Sequence, residues 1–268
     1  MTQSKAEPVY VVPPVVRAIA VLRHVAAGNR CRNISSTAKT LDINRTTLIR
    51  LLATLETEGL LEAIADDGGY RLGTGLIALA SEALNERSIL RVARPFLTQL
   101  VRDLNLSAHL GVLEGREIVY LARETPNSHL ASTVREGTRL PAHATTIGRI
   151  LLSELPVATL RALYADHDME VFSSKTPTTL ADLEAQLAAD RARGMSWSVA
   201  NFEPEIGSAA VAIHDHQGRA VGAVNVTGHA SIFATENPQT LRIEQSLKAT
   251  ARAMSEALGY RGFSADQL

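Results

Sequence analysis

Apolar residues return at helical spacing over Val15, Ala18, Ile19, Leu22, Val25 and Ala26, and Gly28 follows as a stop, so the pattern predicts a first amphipathic helix. Asn33 can cap a second helix over residues 34–41, whose small Ala38 lets another helix approach closely, and Asp42 takes the turn. A third helix opens after Asn44, carries Leu48, Leu51, Leu52 and Leu55 on one face, and ends at Gly59. Leu60-Leu61, the turn cluster Asp66-Asp67-Gly68-Gly69 and Tyr70-Arg71-Leu72 then read as a small β-hairpin. Three helices and a hairpin make a winged helix-turn-helix.

Residues 75–86 give a further helix, expected to be a linker, and another follows over 89–105. Beyond it the apolar period shifts towards two. Strands are expected over 108–113, 118–121, 130–133, 209–213 and 220–226, with Glu114-Gly115 and Gln217-Gly218 as hairpin turns. Helices are expected between them over 146–155, 157–164 and 180–193, and a last one over 237–258. That order describes an α+β domain built on an antiparallel sheet with flanking helices. The expected division is a winged helix over residues 10–73, a linker helix over 74–88 and a second domain over 89–260.

Charge sharpens this division. The 268-residue chain carries a net −1, yet residues 15–50 hold seven basic side chains against Asp42 alone, a local +6. After Gly73, 18 basic and 21 acidic residues give −3. A basic segment on a mildly acidic body predicts two domains with different partners. With 46% hydrophobic and 21% charged residues the composition excludes disordered and collagen-like classes. The longest aliphatic stretch, residues 9–16, is broken by Pro13 and Pro14, so no membrane span is expected, and residues 1–8 show no apolar leader, which makes the cytoplasm the expected location. Cys31 is the single cysteine, which excludes an internal disulfide and every Cys-pair zinc site.

A helix reads the major groove when its leading turns present hydrogen-bonding side chains and a second helix supports its other face. The third helix meets that demand. Arg45 and Arg50 can reach guanine edges or phosphates, Thr46 and Thr47 can bond phosphates or touch thymine methyls, and Arg71 in the wing suits phosphate or the minor groove. In the second domain, a loop ending in Ala144-Thr145-Thr146 and opening a helix aims backbone N–H groups and two hydroxyls at one point, which suits a carboxylate.

Other polar clusters carry less. His214 and His216 share a strand face, with His229 further on, but no third ligand is suitably spaced, so no metal is expected. Ser153, His167 and Asp168 lack a nucleophile elbow or oxyanion-hole motif, so no catalytic residue and no cofactor is expected. His143 is expected to bond within its own loop, and Tyr120 and Trp197 to serve as core or pocket wall.

The chain resembles the IclR-type bacterial transcriptional regulators. The resemblance starts with Arg45-Thr46-Thr47-Leu48-Ile49-Arg50-Leu51-Leu52-Ala53-Thr54-Leu55-Glu56, Gly59-Leu60-Leu61 and Tyr70-Arg71-Leu72-Gly73. It continues through Arg94-Pro95, Leu140-Pro141-Ala142-His143-Ala144-Thr145-Thr146-Ile147-Gly148-Arg149, Arg193-Gly194, Phe202-Glu203-Pro204 and Gly218-Arg219 to the closing helix, covering about residues 15–258. The resemblance implies a dimeric or tetrameric regulator that binds a pseudo-palindromic double-stranded operator. It also implies a GAF/PAS-like C-terminal domain that binds a small metabolite, often an organic or aromatic acid. The matching effector positions are Thr145, Thr146, Ile147, Ser208, Asn225 and Thr227. Where the family has a carboxylate near Val199, a Cys at Ser208, and Gly and Arg at Glu205 and Gly207, this chain departs, and Val199 is expected to form an apolar wall. The competing reading is a small-molecule enzyme or sensor whose winged helix serves protein contacts, against which the cationic, hydroxylated face from Arg45 to Arg50 argues.

Overall fold

The computed structural model describes residues 11–65, 68–85, 88–126 and 134–262. The expected strand over 130–133, the turn residues Asp66 and Asp67, and residues 86–87 of the expected linker lie outside them. The chain divides into two compact units, Met1–Glu86 and Arg87–Leu268.

In the first unit α1 (Pro13–Ala26), α2 (Ile34–Thr40) and α3 (Arg45–Thr57) precede the hairpin of β1 (Leu61–Ile64) and β2 (Gly69–Leu72), and α4 (Thr74–Asn85) closes it. α1 starts two residues before the expected Val15, because prolines at the first two helical positions need no amide partner. Asn33 and Asn44 cap α2 and α3 as expected, accepting from the amides of Ser36 and Thr46. Asp42 makes its turn at φ 51°, a conformation that Asp tolerates better than most residues. Val21 and Val25 of α1 pack on Leu48, Leu52 and Leu55 of α3 to form the core. Val15 and Ile19, expected on the buried face of α1, are instead 54% and 42% exposed, so the helix is rotated towards Val21.

The second unit opens with α5 (Ser88–Leu104), β3 (Ser107–Glu114), β4 (Glu117–Glu124) and β5 (Arg139–Pro141). Next come α6 (Thr146–Ser153), α7 (Val157–Tyr164), α8 (Leu180–Arg193), β6 (Ser196–Val199), β7 (Ile206–His214), β8 (Ala220–His229) and α9 (Gln239–Ala257). The six strands form one antiparallel sheet in the order β5-β4-β3-β8-β7-β6. Strand alternation sends neighbouring residues to opposite faces. Thus Ala223 joins the cluster around Ile147 and Leu151 of α6, whereas a side chain at Gly222 would strike Ile89 of α5. α6 lies close against the strand end before it because Gly148 sits where any Cβ would collide with the backbone of Ala142. The edge strands β5 and β6 were not expected from the sequence. Among the described residues no helix is long and apolar enough to cross a membrane.

Candidate functional site

In α3, Arg45, Thr46 and Arg50 are exposed, together with Ile49, whereas Thr47 is half-buried and turns partly towards the core. The Asn44 side chain holds the first turn by accepting from Thr46 N at 2.9 Å, so the cationic face begins at a fixed point. Arg71 lies opposite Glu62 in the β1–β2 register and is bound to it, Nε to Oε2 at 2.9 Å and Nη2 to Oε2 at 2.8 Å. Glu62 also accepts from Thr74 N, and its carboxyl is held below the usual range by Arg71 first and Thr74 second. Arg71 therefore reaches a phosphate only by sharing its guanidinium with Glu62. The sequence reading assigned no role to Arg30 and Arg32, which line a polar cleft with Asn33, Ser36 and Thr40 beside the start of α2.

In the second unit a cavity of about 240 Å³ lies over the sheet face that α6 covers. Five of the six expected effector residues line it: Thr145, Thr146, Ser208, Asn225 and Thr227. Ile147 does not line it, because its fully buried side chain packs under the sheet at Gly111. Val199 is not a wall either. In β6 the side chain at the cavity is Ser198, which pairs with Ser208 of β7, and Val199 alternates away.

Thr145 is the N-cap of α6: its Oγ1 accepts from Gly148 N at 3.2 Å and donates to Pro141 O at 3.2 Å, so this hydroxyl is used within the chain. The amides of Thr146 and Ile147 have no acceptor among the described residues. Thr146 Oγ1 meets Ser208 Oγ at 2.8 Å, and Asn225 Nδ2 donates to Ser208 Oγ at 3.1 Å and Thr227 Oγ1 at 3.2 Å. Thr227 Oγ1 donates in turn to Ser208 Oγ at 3.3 Å.

This network ends on a residue the sequence reading missed. His109 of β3, opposite Asn225 in the register, places Nδ1 2.9 Å from Asn225 Oδ1. Its ring is 1% exposed and stands edge-on to Tyr120, a second lining residue. Burial pulls its pKa down to about 4, against a partial rise from Asn225, so the ring is neutral at pH 7. The only sequence signal for it was a polar residue inside the otherwise apolar run of β3. Burial also raises the Tyr120 phenol, with Glu203 adding to the rise. Among the described residues the lining holds no Lys or Arg, and its carboxylates, Glu203 and Glu205, are exposed.

The remaining clusters serve structure. His143 bonds Glu170 O at 3.0 Å, across to another loop and not within its own as expected. Trp197 donates to Phe233 O and carries Arg193 over its ring at 4.6 Å, outside the cavity lining. His214 faces Glu154 and stacks on Tyr260, and Ser153 donates to Ile150 O of its own helix. Among the described residues no group of three or more His, Cys, Asp or Glu could hold a metal ion.

Comparison with known proteins places both units. Residues 14–64 match the IclR helix-turn-helix domain, and residues 81–256 match the C-terminal domain of the bacterial transcriptional regulator IclR. The HTH-type transcriptional regulator XynR of Escherichia coli (strain K12) is 31% identical over 230 residues, 85% of this chain and 89% of that one. A solved structure from Rhodococcus sp. RHA1 is 31% identical with a TM-score of 0.81, covering 92% of this chain and 98% of that one. An IclR homolog from Microbacterium hydrocarbonoxydans, solved with 4-hydroxybenzoate, shares the fold at 21% identity and a TM-score of 0.77, covering 91% and 98%. These relatives are regulators and not enzymes, and both halves match in the expected order. With a DNA-binding helix-turn-helix in front of a ligand-binding domain, the chain belongs to the IclR family of bacterial transcriptional regulators.

Proposed function

We propose that the protein is an effector-responsive regulator that reads a two-fold operator through Arg45, Thr46 and Arg50 and answers to a small monocarboxylic acid. The observation that carries the effector half is the start of α6: the Thr146 amide, which has no acceptor among the described residues, and the Thr146 hydroxyl lie at the lining of the cavity. Neutral donors at a helix N-terminus accept a carboxylate without a cationic partner. Glu203 and Glu205 disfavour acids with a second charge. The neighbour solved with 4-hydroxybenzoate supports a ligand of this class, and aromatic as well as aliphatic acids fit a cavity of this size.

Two copies of α3 are needed for specificity, held about 34 Å apart or a multiple of that. The exposed apolar residues Val15, Val16 and Ile19 on α1, with Val12 just before it, and Ile77 and Leu79 on α4, support association through this unit. Light scattering is expected to show a dimer or tetramer, and a monomer that still protects a symmetric site contradicts the reading.

Arg45→Ala is expected to weaken operator binding by about 1–3 kcal/mol and to relax specificity at one base position. Arg71→Ala should weaken all sequences alike, and by less than a free arginine would, because Glu62 already neutralises much of its charge. A mobility-shift series over salt separates the two, and unchanged binding in both variants removes the helix assignment. In the cavity, Thr146→Asp places a carboxylate where the acid is received. Calorimetry with aliphatic and aromatic acids is expected to find a ligand for the wild type and none for the variant, which should still shift operator DNA. Equal affinity in the two proteins would place the acid elsewhere.

A further inference from the structure

A second cavity of the C-terminal unit, of about 650 Å³, opens where β6 stops short of its neighbour, and its lining shares no residue with the effector cavity. β6 pairs with β7 only as far as Ser196 on Ala210, because the chain before it turns away at Gly194, the left-handed cap of α8. Among the described residues the rest of β7, to His214, has no strand beside it on that edge. An antiparallel strand sends the N–H and C=O of alternate residues to alternate sides, and the bond from Ala200 N to Ile206 O sets the even-numbered residues of β7 towards β6. Ala212, which lines the cavity, therefore turns its backbone polar groups to the uncovered edge.

Cations gather over this floor. Arg191 and Arg193 come from the last turn of α8, where they also offset its C-terminal carbonyls. Lys248 and Arg252 stand one turn apart in the middle of α9, where no helix end asks for charge. Arg193 and Lys248 share Glu244, Arg252 takes Glu256, and Arg191 donates to the neutral carbonyl of Ser153. Glu154 on the lining faces His214. Four cations thus meet three carboxylates, in a part of the chain that carries −3 overall. Between the cations the lining is apolar, with Ile150, Val211, Ala212 and Ala249.

We propose that this cleft is a second ligand site and takes a small organic phosphate, its dianionic head against Arg191, Lys248 and Arg252 and its carbon body on Ile150, Val211 and Ala249. Planar guanidinium forks match phosphate oxygens, and a dianion answers an excess of positive charge that a single carboxylate would not. The apolar floor adds a reason to prefer an ester to the bare ion. The site stands independently of the reading of α6, whose cavity has the opposite electrostatic character.

The test is calorimetry of the full-length protein with inorganic phosphate, glycerol 3-phosphate, glucose 6-phosphate and phenyl phosphate. At least one ester is expected to bind at least about tenfold more tightly than inorganic phosphate. The double variant Lys248→Gln with Arg252→Gln, checked for folding by circular dichroism, should lose at least about tenfold of that affinity. Ala249→Trp adds bulk at an exposed position without touching a charge, and should bring the ester down to the level of inorganic phosphate. Thr146→Asp, and Arg45→Ala with Arg50→Ala, should bind the ester as the wild type does. Esters no tighter than inorganic phosphate would reduce the cleft to an adventitious ion only and overturn the proposal. Unchanged ester binding in the Lys248 and Arg252 double variant, or its loss in Thr146→Asp or the Arg45 and Arg50 variant, would place the phosphate elsewhere and overturn it too. So would failure of all four probes to bind.

Discussion

Replacing Arg149 by alanine is expected to destabilise the C-terminal unit by about 3–5 kcal/mol. The Arg149 side chain leaves α6 and is 1% exposed, yet it carries a guanidinium. Nε lies 3.0 Å from Asp190 Oδ2 of α8, and Nη2 donates to Ser196 Oγ at 2.6 Å and Trp197 O at 2.7 Å in β6. One side chain thus ties three elements together behind the cavity. Burial opposes the charge of both partners: it pulls Arg149 down and pushes the Asp190 carboxyl up against their mutual attraction. The attraction between them is therefore largely offset by desolvation, and the damage comes from removing one partner alone, which strands the Asp190 carboxylate and the Trp197 carbonyl. The double variant Arg149→Met with Asp190→Leu should recover most of the loss, because it removes both ions and refills the space. Urea denaturation monitored by circular dichroism measures both effects. A single variant within about 1 kcal/mol of wild type, or a double variant as unstable as the single, would show that the ion pair does not organise this unit.

What the sequence revealed and what it hid divide along physical lines. Helices two or more turns long were legible because their apolar period repeats, and the caps at Asn33 and Asn44 sit where the residue types predicted. β5 and β6 were not legible: three or four residues at a sheet edge show at most two alternations, and pairing with β4 and β7 makes them strands. The same short span hides the phase of β6, whose register puts Ser198 and not Val199 at the cavity. Ile147 shows that a motif match fixes backbone position but not side-chain direction: one step beyond Thr146 the helix turns it into the core. His109 was hidden because its role depends on Asn225, 116 residues away, which only the β3–β8 register brings beside it.

That buried histidine also makes stability depend on pH. His109 has a folded pKa of about 4 against an ordinary value of 6.5, so between these values the unfolded chain binds a proton that the native state refuses. Stability therefore rises with pH through this window. The contribution is fully present above about pH 6.5 and is lost progressively as pH falls towards 4, at up to about 1.4 kcal/mol per unit and about 3 kcal/mol in all. The groups facing the ring leave this sign unchanged: Arg123 lowers the pKa further, Asn225 raises it in part, and Tyr120 presents an uncharged ring edge. Carboxylates elsewhere add acid sensitivity of their own, so the measurement is a difference. Urea midpoints of the wild type and His109→Phe at intervals from pH 7.5 to 4.5 should show the wild type losing about 2–3 kcal/mol more than the variant across the series. His109→Phe is less stable at pH 7.5, because Asn225 Oδ1 loses its donor, and the two curves converge as the pH falls. Parallel curves would mean that His109 is protonated in the native state, with Nε2 carrying a proton in place of a lone pair.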